Sequence, residues 1–354
     1  MLPFVFLFLV PIVVQHIDIK GINYQKKNGI ALTFFFVLLT LLVMFRHTSV
    51  GSDTINYINH FSVYSKIDWT EIGNQIHEIG YVFSIRLISS IFNNYRFFFV
   101  LAALAVSAMI YPTYIRLCRD TSLTIILFGF MSTFVLMFSG IRQMLTIAIG
   151  FIAYEFARQK RLVPFMVVVL IAMSFHISAF MIAFMYPLYH ARITKKWLYG
   201  VITALILVFV FNKQIFSILS IILARNERYN FVTTSTGAYA TLVLFIVFGA
   251  FSFLIPDEDY LDDETIGQRN FLLLAIVIQM FAPLHSLAMR MNYYYIVFIP
   301  LLIPKIIQNR SEKWGQVAVI GRHIMVVFFL IYFFVNAYTS TSNLHVFPYR
   351  FFWE

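Results

Sequence analysis

The sequence predicts an all-α polytopic integral membrane protein with about twelve transmembrane helices. Three features predict it. Hydrophobic residues make up 60% of the 354-residue chain and charged residues only 12%, with a mean hydropathy of +0.81. A water-soluble domain of that length cannot bury so much apolar surface, so lipid has to solvate most of it. Apolar runs recur at close to the roughly 20 residues that a helix needs to cross a bilayer core. Basic residues gather in short loops on one side of those runs, as insertion topology requires. The 41 Phe and 20 Tyr fit the same solvent, since Phe tolerates lipid and Tyr favours its wet boundary.

In chain order the runs place spans at 2–15, 29–45, 97–115, 122–138, 142–157, 163–176, 177–190, 197–212, 238–256, 270–286, 292–308 and 323–339, in a single domain covering 1–354. The first run, Leu2 to Val14, lacks a basic leader region and a small-residue cleavage pattern, so it is read as a retained span. Twelve spans put both termini on one side. Placing them outside puts 16 of the 26 Lys and Arg in inner loops, among them Lys26, Lys27, Arg158, Lys160, Arg192 and Lys313. The net charge of +10 is thus a topology signal and gives no reason to expect a nucleic-acid partner. Cys118 is the sole cysteine, which rules out an intrachain disulfide and a thiolate metal cluster.

Two stretches between spans stand out. The extracytoplasmic loop 46–96 has an amphipathic second half in which Tyr81, Ile85, Ile88 and Phe92 recur at helical spacing around Arg86, predicting a helix that lies in the interface or dips into it. The cytoplasmic loop 257–269 carries Asp257, Glu258, Asp259, Asp262, Asp263 and Glu264. Without ordered ligand spacing it reads as a solvated acidic loop.

Charged groups at span edges are costly to insert and are functional candidates for that reason. Arg46, Arg142, His176, Arg228 and Arg290 all fall on the outer side in this topology. An arginine at a span end also snorkels to headgroups, but Arg142, in Ser139-Gly140-Ile141-Arg142-Gln143, sits at a turn too tight for a solvated side chain. His176 in Ser174-Phe175-His176-Ile177-Ser178 is either a helix-packing residue or a base facing an outer cavity. The densest polar stretch, Arg46 to Tyr57, contains Gly51 for a turn and Asp53, which is either a helix N-cap or a substrate contact. Glu78 in His77-Glu78-Ile79-Gly80-Tyr81 is either a first-turn acid or a reacting group. There is no P-loop, dinucleotide fingerprint, HExxH or Gly-x-Ser-x-Gly motif, which leaves ATP-driven transport and zinc hydrolysis unsupported.

The ordered set Arg46…Val50-Gly51-x-Asp53-Thr54-x-x-Tyr57, Glu78-x-Gly80-Tyr81, Ser139-Gly140-x-Arg142-Gln143, Phe175-His176-x-Ser178 and Pro348-Tyr349-Arg350-Phe351 resembles the EpsG family over nearly the whole chain. These are polytopic proteins of bacterial exopolysaccharide and capsule clusters, related in role to the Wzy polymerases. The resemblance implies a membrane glycosyltransferase of C-type architecture in the bacterial cytoplasmic membrane. Such an enzyme transfers a growing glycan from undecaprenyl diphosphate onto the next lipid-linked repeat unit at the outer face. No metal site is in view on the outer side of the sequence, and no cofactor is expected. The partners expected are the lipid-linked oligosaccharide, the bilayer and a chain-length regulator. On this reading Arg142, supported by Arg46, Arg290 and Arg228, meets the diphosphate. His176 is the first choice for the base, with Asp53 and Glu78 as alternatives, while Gln143, Tyr57 and Tyr81 orient sugar hydroxyls. A flippase of the same lipid-linked units and a membrane acyltransferase are the competing readings. The first is disfavoured by the lack of a visible internal repeat, and the second gives the arginines no role.

Overall fold

The computed structural model describes residues 2–17, 21, 23–222, 236–339 and 344–354, and its regular elements there are helices, with isolated β-bridges at Arg46–Phe351 and Pro256–Arg310. The chain divides into two compact units, residues 1–183 with 320–354, and residues 184–319.

The first unit contains α1 (Leu2–His16), α2 (Tyr24–Met44), α3 (Thr54–Tyr64), α4 (Ile79–Ile91), α5 (Tyr95–Leu117), α6 (Thr121–Phe130), α7 (Ser132–Ser139), α8 (Ile141–Arg158) and α9 (Leu162–Phe175). Its core is aromatic. Phe4 meets Phe134, Phe138, Phe333 and Phe347 edge-on, the last at 4.7 Å between centroids, and Phe8 meets Phe333 at 4.7 Å. Edge-to-face contacts of this kind add direction to burial that is otherwise non-directional. Polar side chains fasten the helix ends. Asp120 caps α6 by accepting from the Leu123 amide, and the same carboxylate accepts from Gln15 and pairs with Arg322. The segment 344–354 runs back along the chain after α2. His47 N–H donates to the Arg350 carbonyl, Phe352 N–H to Phe45, Gly51 N–H to His345, and the Tyr349 hydroxyl to Leu42.

The second unit contains α10 (Met185–His190), α11 (Leu198–Val210), α12 (Asn212–Ile222), α13 (Thr236–Leu254), α14 (Asp263–Gln279), α15 (Ser286–Ile296) and α16 (Ile299–Gln308). α17 (Gly315–Thr339) begins there and belongs to the first unit from Ile320 onward. α14 is its centre. Asn270 donates to the carbonyls of Leu188 and Ala191, closing the C-terminal end of α10, and Gly267 admits the Tyr189 ring.

A helix overlies each of the twelve expected spans, but among the described residues four, α2, α5, the 237–254 part of α13, and α17, are long and apolar enough to cross a membrane. Counting each bent helix pair as one crossing raises the number to seven. The reasons are local. α1 and α9 have 15 and 14 residues. α8 carries Arg142, Glu155 and Arg158. The 292–308 run is bent by 46° between α15 and α16.

Two expectations need correcting. The buried face of α4 is Tyr81, Val82, Ile85 and Ser89, whereas Phe92 is exposed at the helix end and stacks on Phe97. Arg86 is accommodated by donating to the Ile67 carbonyl and lying over the Trp69 ring. The 257–269 stretch is not a plain solvated loop. Its second half is the start of α14, capped by Asp262, and Arg269 is fully buried with both Glu258 oxygens on its guanidinium at 2.7 and 3.1 Å. Lys305, also buried, lies 3.4 Å from Glu264. The acidic residues therefore neutralise buried cations, since an unpaired buried charge is far costlier than a paired one.

Gly51 has φ +92°, and a Cβ there would lie 2.2 Å from the Phe138 carbonyl oxygen. Gly51→Ala combines left-handed backbone strain with a backbone clash. It is expected to cost about 2–4 kcal/mol, read as a fall in thermal midpoint of the detergent-purified protein.

Candidate functional site

The loop between α3 and α4 ends at Glu78, which occupies the N-cap position of α4 but makes no capping bond. Its carboxylate instead reaches two other elements. Oε2 accepts from Arg142 Nη1 at 2.8 Å, and Oε1 lies 3.1 Å from His176 Nδ1 while accepting from the Ile177 amide at 3.0 Å. Arg142 is in the first turn of α8, joined to α7 by Gly140 alone. A cation at a helix N-terminus opposes the macrodipole. Glu78 offsets that, as does the Tyr81 ring, over which the guanidinium lies at 5.1 Å. His176 is the extended residue that ends α9 before a 3-10 turn, Ile177–Phe184. Gly80 permits the approach, because a Cβ there would lie 2.3 Å from Ser174 Oγ and 2.8 Å from the Ser174 carbonyl.

Electrostatics define the state of this trio. Burial pushes the Glu78 carboxyl upward, but the His176 hydrogen bond, backbone amides including Ile177, and Arg142 outweigh it and hold it at about 2. Glu78 is thus a carboxylate at neutral pH and accepts only, so the proton of the His176 contact must sit on Nδ1. That leaves Nε2 as the ring nitrogen not engaged by Glu78.

Around the trio lies an aromatic and histidine layer. The Tyr57 hydroxyl accepts from the Arg142 amide at 3.4 Å. Tyr81 OH and His60 Nδ1 are 3.0 Å apart, Tyr64 OH and His77 Nδ1 are 2.5 Å apart, and the two imidazoles lie 4.3 Å apart. Burial, then His77 and Arg142, lower His60 to about 4, and burial with Arg142 lowers His77. Both rings are neutral at pH 7.

The sequence-predicted residues thus divide. Glu78, Arg142, His176, Tyr57 and Tyr81 come together. Asp53 stands at the N-cap position of α3 without the side-chain cap bond, beside Ser52, whose hydroxyl is 2.8 Å from that of Ser139. Gln143 is buried on α8. Arg46 is 5% exposed at the end of α2, with its guanidinium 4.7 Å over Phe99, and burial lowers its pKa to about 10, leaving it charged. Arg290 is exposed on α15 of the second unit. Arg228 lies outside the described residues. Sequence reasoning passed over His60 and Arg96, and gave His77 and Ser139 no role beyond their place in the quoted motifs. His60 is one turn beyond Tyr57, and His77 adjoins Glu78, so both were within reach of a periodicity argument.

A family model described as the EpsG family matches residues 29–351. Searches of curated proteins and of solved structures give no match.

Two outcomes follow from this geometry. The folded-state pKa of Glu78 is depressed from 4.5 to about 2, so its ion pairs are fully present above about pH 4.5 and are lost as pH falls through about 2. Difference infrared spectra of the protein against Glu78→Gln should therefore still show an ionised carboxylate at pH 4. Gly80→Ala should move Glu78 away from His176 and lower activity about 10-fold or more, with protein level in the membrane unchanged.

Proposed function

The chain belongs to the EpsG family, and from that premise we propose that it is a polysaccharide polymerase. It transfers a growing glycan from undecaprenyl diphosphate onto the next lipid-linked repeat unit at the outer face of the bacterial cytoplasmic membrane. The single observation that carries the reading is the Glu78 carboxylate held between Arg142 and His176.

Each part has a role in glycosyl transfer. The acceptor hydroxyl oxygen attacks the anomeric carbon of the donor glycan while His176 Nε2 takes its proton. The bond from that carbon to the diphosphate oxygen breaks, and the diphosphate leaves with the electron pair. Glu78 orients the imidazole and stabilises the imidazolium that forms, as a carboxylate does behind any histidine base. With a pKa of about 2, Glu78 itself is a weak base at neutral pH, which favours His176 over it in that role. Arg142 faces the departing charge, and its planar fork matches phosphate oxygens and stays protonated. Tyr57, Tyr81 and Gln143 orient sugar hydroxyls. Asp53 is kept as an alternative base, and Arg290 as a phosphate contact on the second unit. The arrangement of twelve membrane segments with both ends outside, and a chain-length regulator as partner, belong to the same proposal.

A flippase explains cations at span edges but gives the Glu78–His176 contact no task. Cells lacking a polymerase display single repeat units outside, whereas cells lacking a flippase retain them inside.

His176→Ala should lower polymer formation by about 100-fold or more, the usual worth of a general base. Arg142→Lys keeps the charge but loses the fork and should shorten or abolish the polymer. The measurement is lipid-linked product length from purified protein and a defined repeat-unit donor. Wild-type lengths from both variants would remove these residues from the mechanism.

A further inference from the structure

Arg142 is neutralised by a carboxylate; Arg46 is not. The Arg46 side chain donates Nη1–H to the Val43 carbonyl at 2.6 Å, while Nε and Nη2 are buried and have no hydrogen-bond partner among the described residues. A buried guanidinium left this way is costly unless something anionic or strongly polar completes its shell. Arg46 lines a cavity of about 110 Å³ between the end of α2, the start of α5 and the 344–354 segment. That volume accepts a small polyatomic group and exceeds the needs of a single water. Arg96 and Thr48 line it as well, with Phe45, Phe99 and Phe352 as apolar wall. The Arg96 guanidinium lies 4.5 Å over the Phe352 ring, so a second cation borders the same space.

Two arginine forks against an aromatic wall suit a phosphate group carried on a hydrocarbon chain. A polymerase turn uses two lipid-linked substrates, of which one loses its diphosphate and the other keeps it. A cation already balanced by Glu78 suits charge that develops during reaction. A cation with no counter-charge suits an anion held throughout. We propose that the Arg46–Arg96 cavity is a second phosphate subsite, distinct in its residues from that at Arg142, which holds the diphosphate of the polyprenyl-linked substrate that is not the leaving group. The proposal rests on the polymerase reading for its assignment to that substrate.

The test isolates the subsite by working in Arg142→Gln protein, full-length and detergent-purified, with farnesyl diphosphate as the soluble probe. Equilibrium binding is measured with Arg46→Gln or Arg96→Gln added, and melting curves establish that each variant is folded. Arg96 is half-buried, so its variant reads the subsite even where Arg46→Gln fails to fold. The expected result is binding in the Arg142→Gln parent that weakens at least tenfold on either addition. Unchanged affinity in the folded variants overturns the subsite. Inorganic pyrophosphate should displace the probe at least tenfold less effectively than unlabelled farnesyl diphosphate does. Equal displacement assigns the cavity to a free anion and overturns the lipid-linked part. Arg46- or Arg96-dependent binding in the Arg142→Gln parent, alongside wild-type protein that makes no polymer from a lipid-linked donor, overturns the polymerase reading and keeps the subsite. Polymer formation by the wild-type protein, with binding in the Arg142→Gln parent indifferent to both added substitutions, overturns the subsite alone.

Discussion

One carboxylate ties together three elements that the chain keeps far apart. Glu78 is 64 residues from Arg142 and 98 from His176, and each partner stands at an irregular point: a one-residue turn before α8 and an extended residue after α9. Neither point is stable for its own sake. The arginine faces the unfavourable end of a helix dipole, and the histidine breaks an apolar helix. Glu78 makes both positions tenable, and Gly80 lets α4 come close enough for it to do so. The site therefore depends less on any one helix than on the meeting of three helix ends.

Two arginines of the first unit, the buried Arg46 and the half-buried Arg142, show how the same side chain is put to different use by its surroundings. Around Arg142 the negative charge, the tyrosine ring and two neutral histidines make a balanced, largely enclosed environment in which a small change of charge is felt strongly. Around Arg46 the neighbours are carbonyl, hydroxyl and ring, with no ion pair among the described residues. In the second unit, Arg269 and Lys305 are just as buried, and Glu258 and Glu264 supply their counter-charge, although Arg269 Nε has no hydrogen-bond partner among the described residues. Burial of a cation is thus not the informative feature. Its counter-charge is.

The sequence exposes much of this through hydropathy and a few punctuating residues. The uninterrupted runs of α2 and α5 are visible at once, and the Gly140 turn and the His176 break are where pattern and composition put them. The bends inside the 122–138 and 292–308 runs are not visible in hydropathy, because a broken helix and a straight one bury the same apolar residues. Phe92 misleads for a related reason: periodicity counts it on the inner face of α4, but the helix ends one residue earlier. The acidic stretch misleads because nothing local signals that Arg269, eleven residues beyond Glu258, is buried and needs it. Of the candidate residues, the five that converge were nameable from type and position. Their mutual contacts were not, since long-range pairing leaves no trace in local spacing.

The pairing of residues 344–354 with residues 42–52 carries a consequence for biogenesis. The Tyr349 hydroxyl reaches a carbonyl 307 positions earlier, and a wall of the Arg46 cavity is made by a strip synthesised long after the loop that carries Arg46. Contacts of such sequence separation are slow to close. The loop carrying Arg46 has then to wait, half-built, while the intervening helices insert, and it completes only when the last segment of the strip emerges. A chain assembled in that order cannot complete the Arg46 cavity midway through its synthesis, so the cavity's full set of walls exists only once the intervening helices are made.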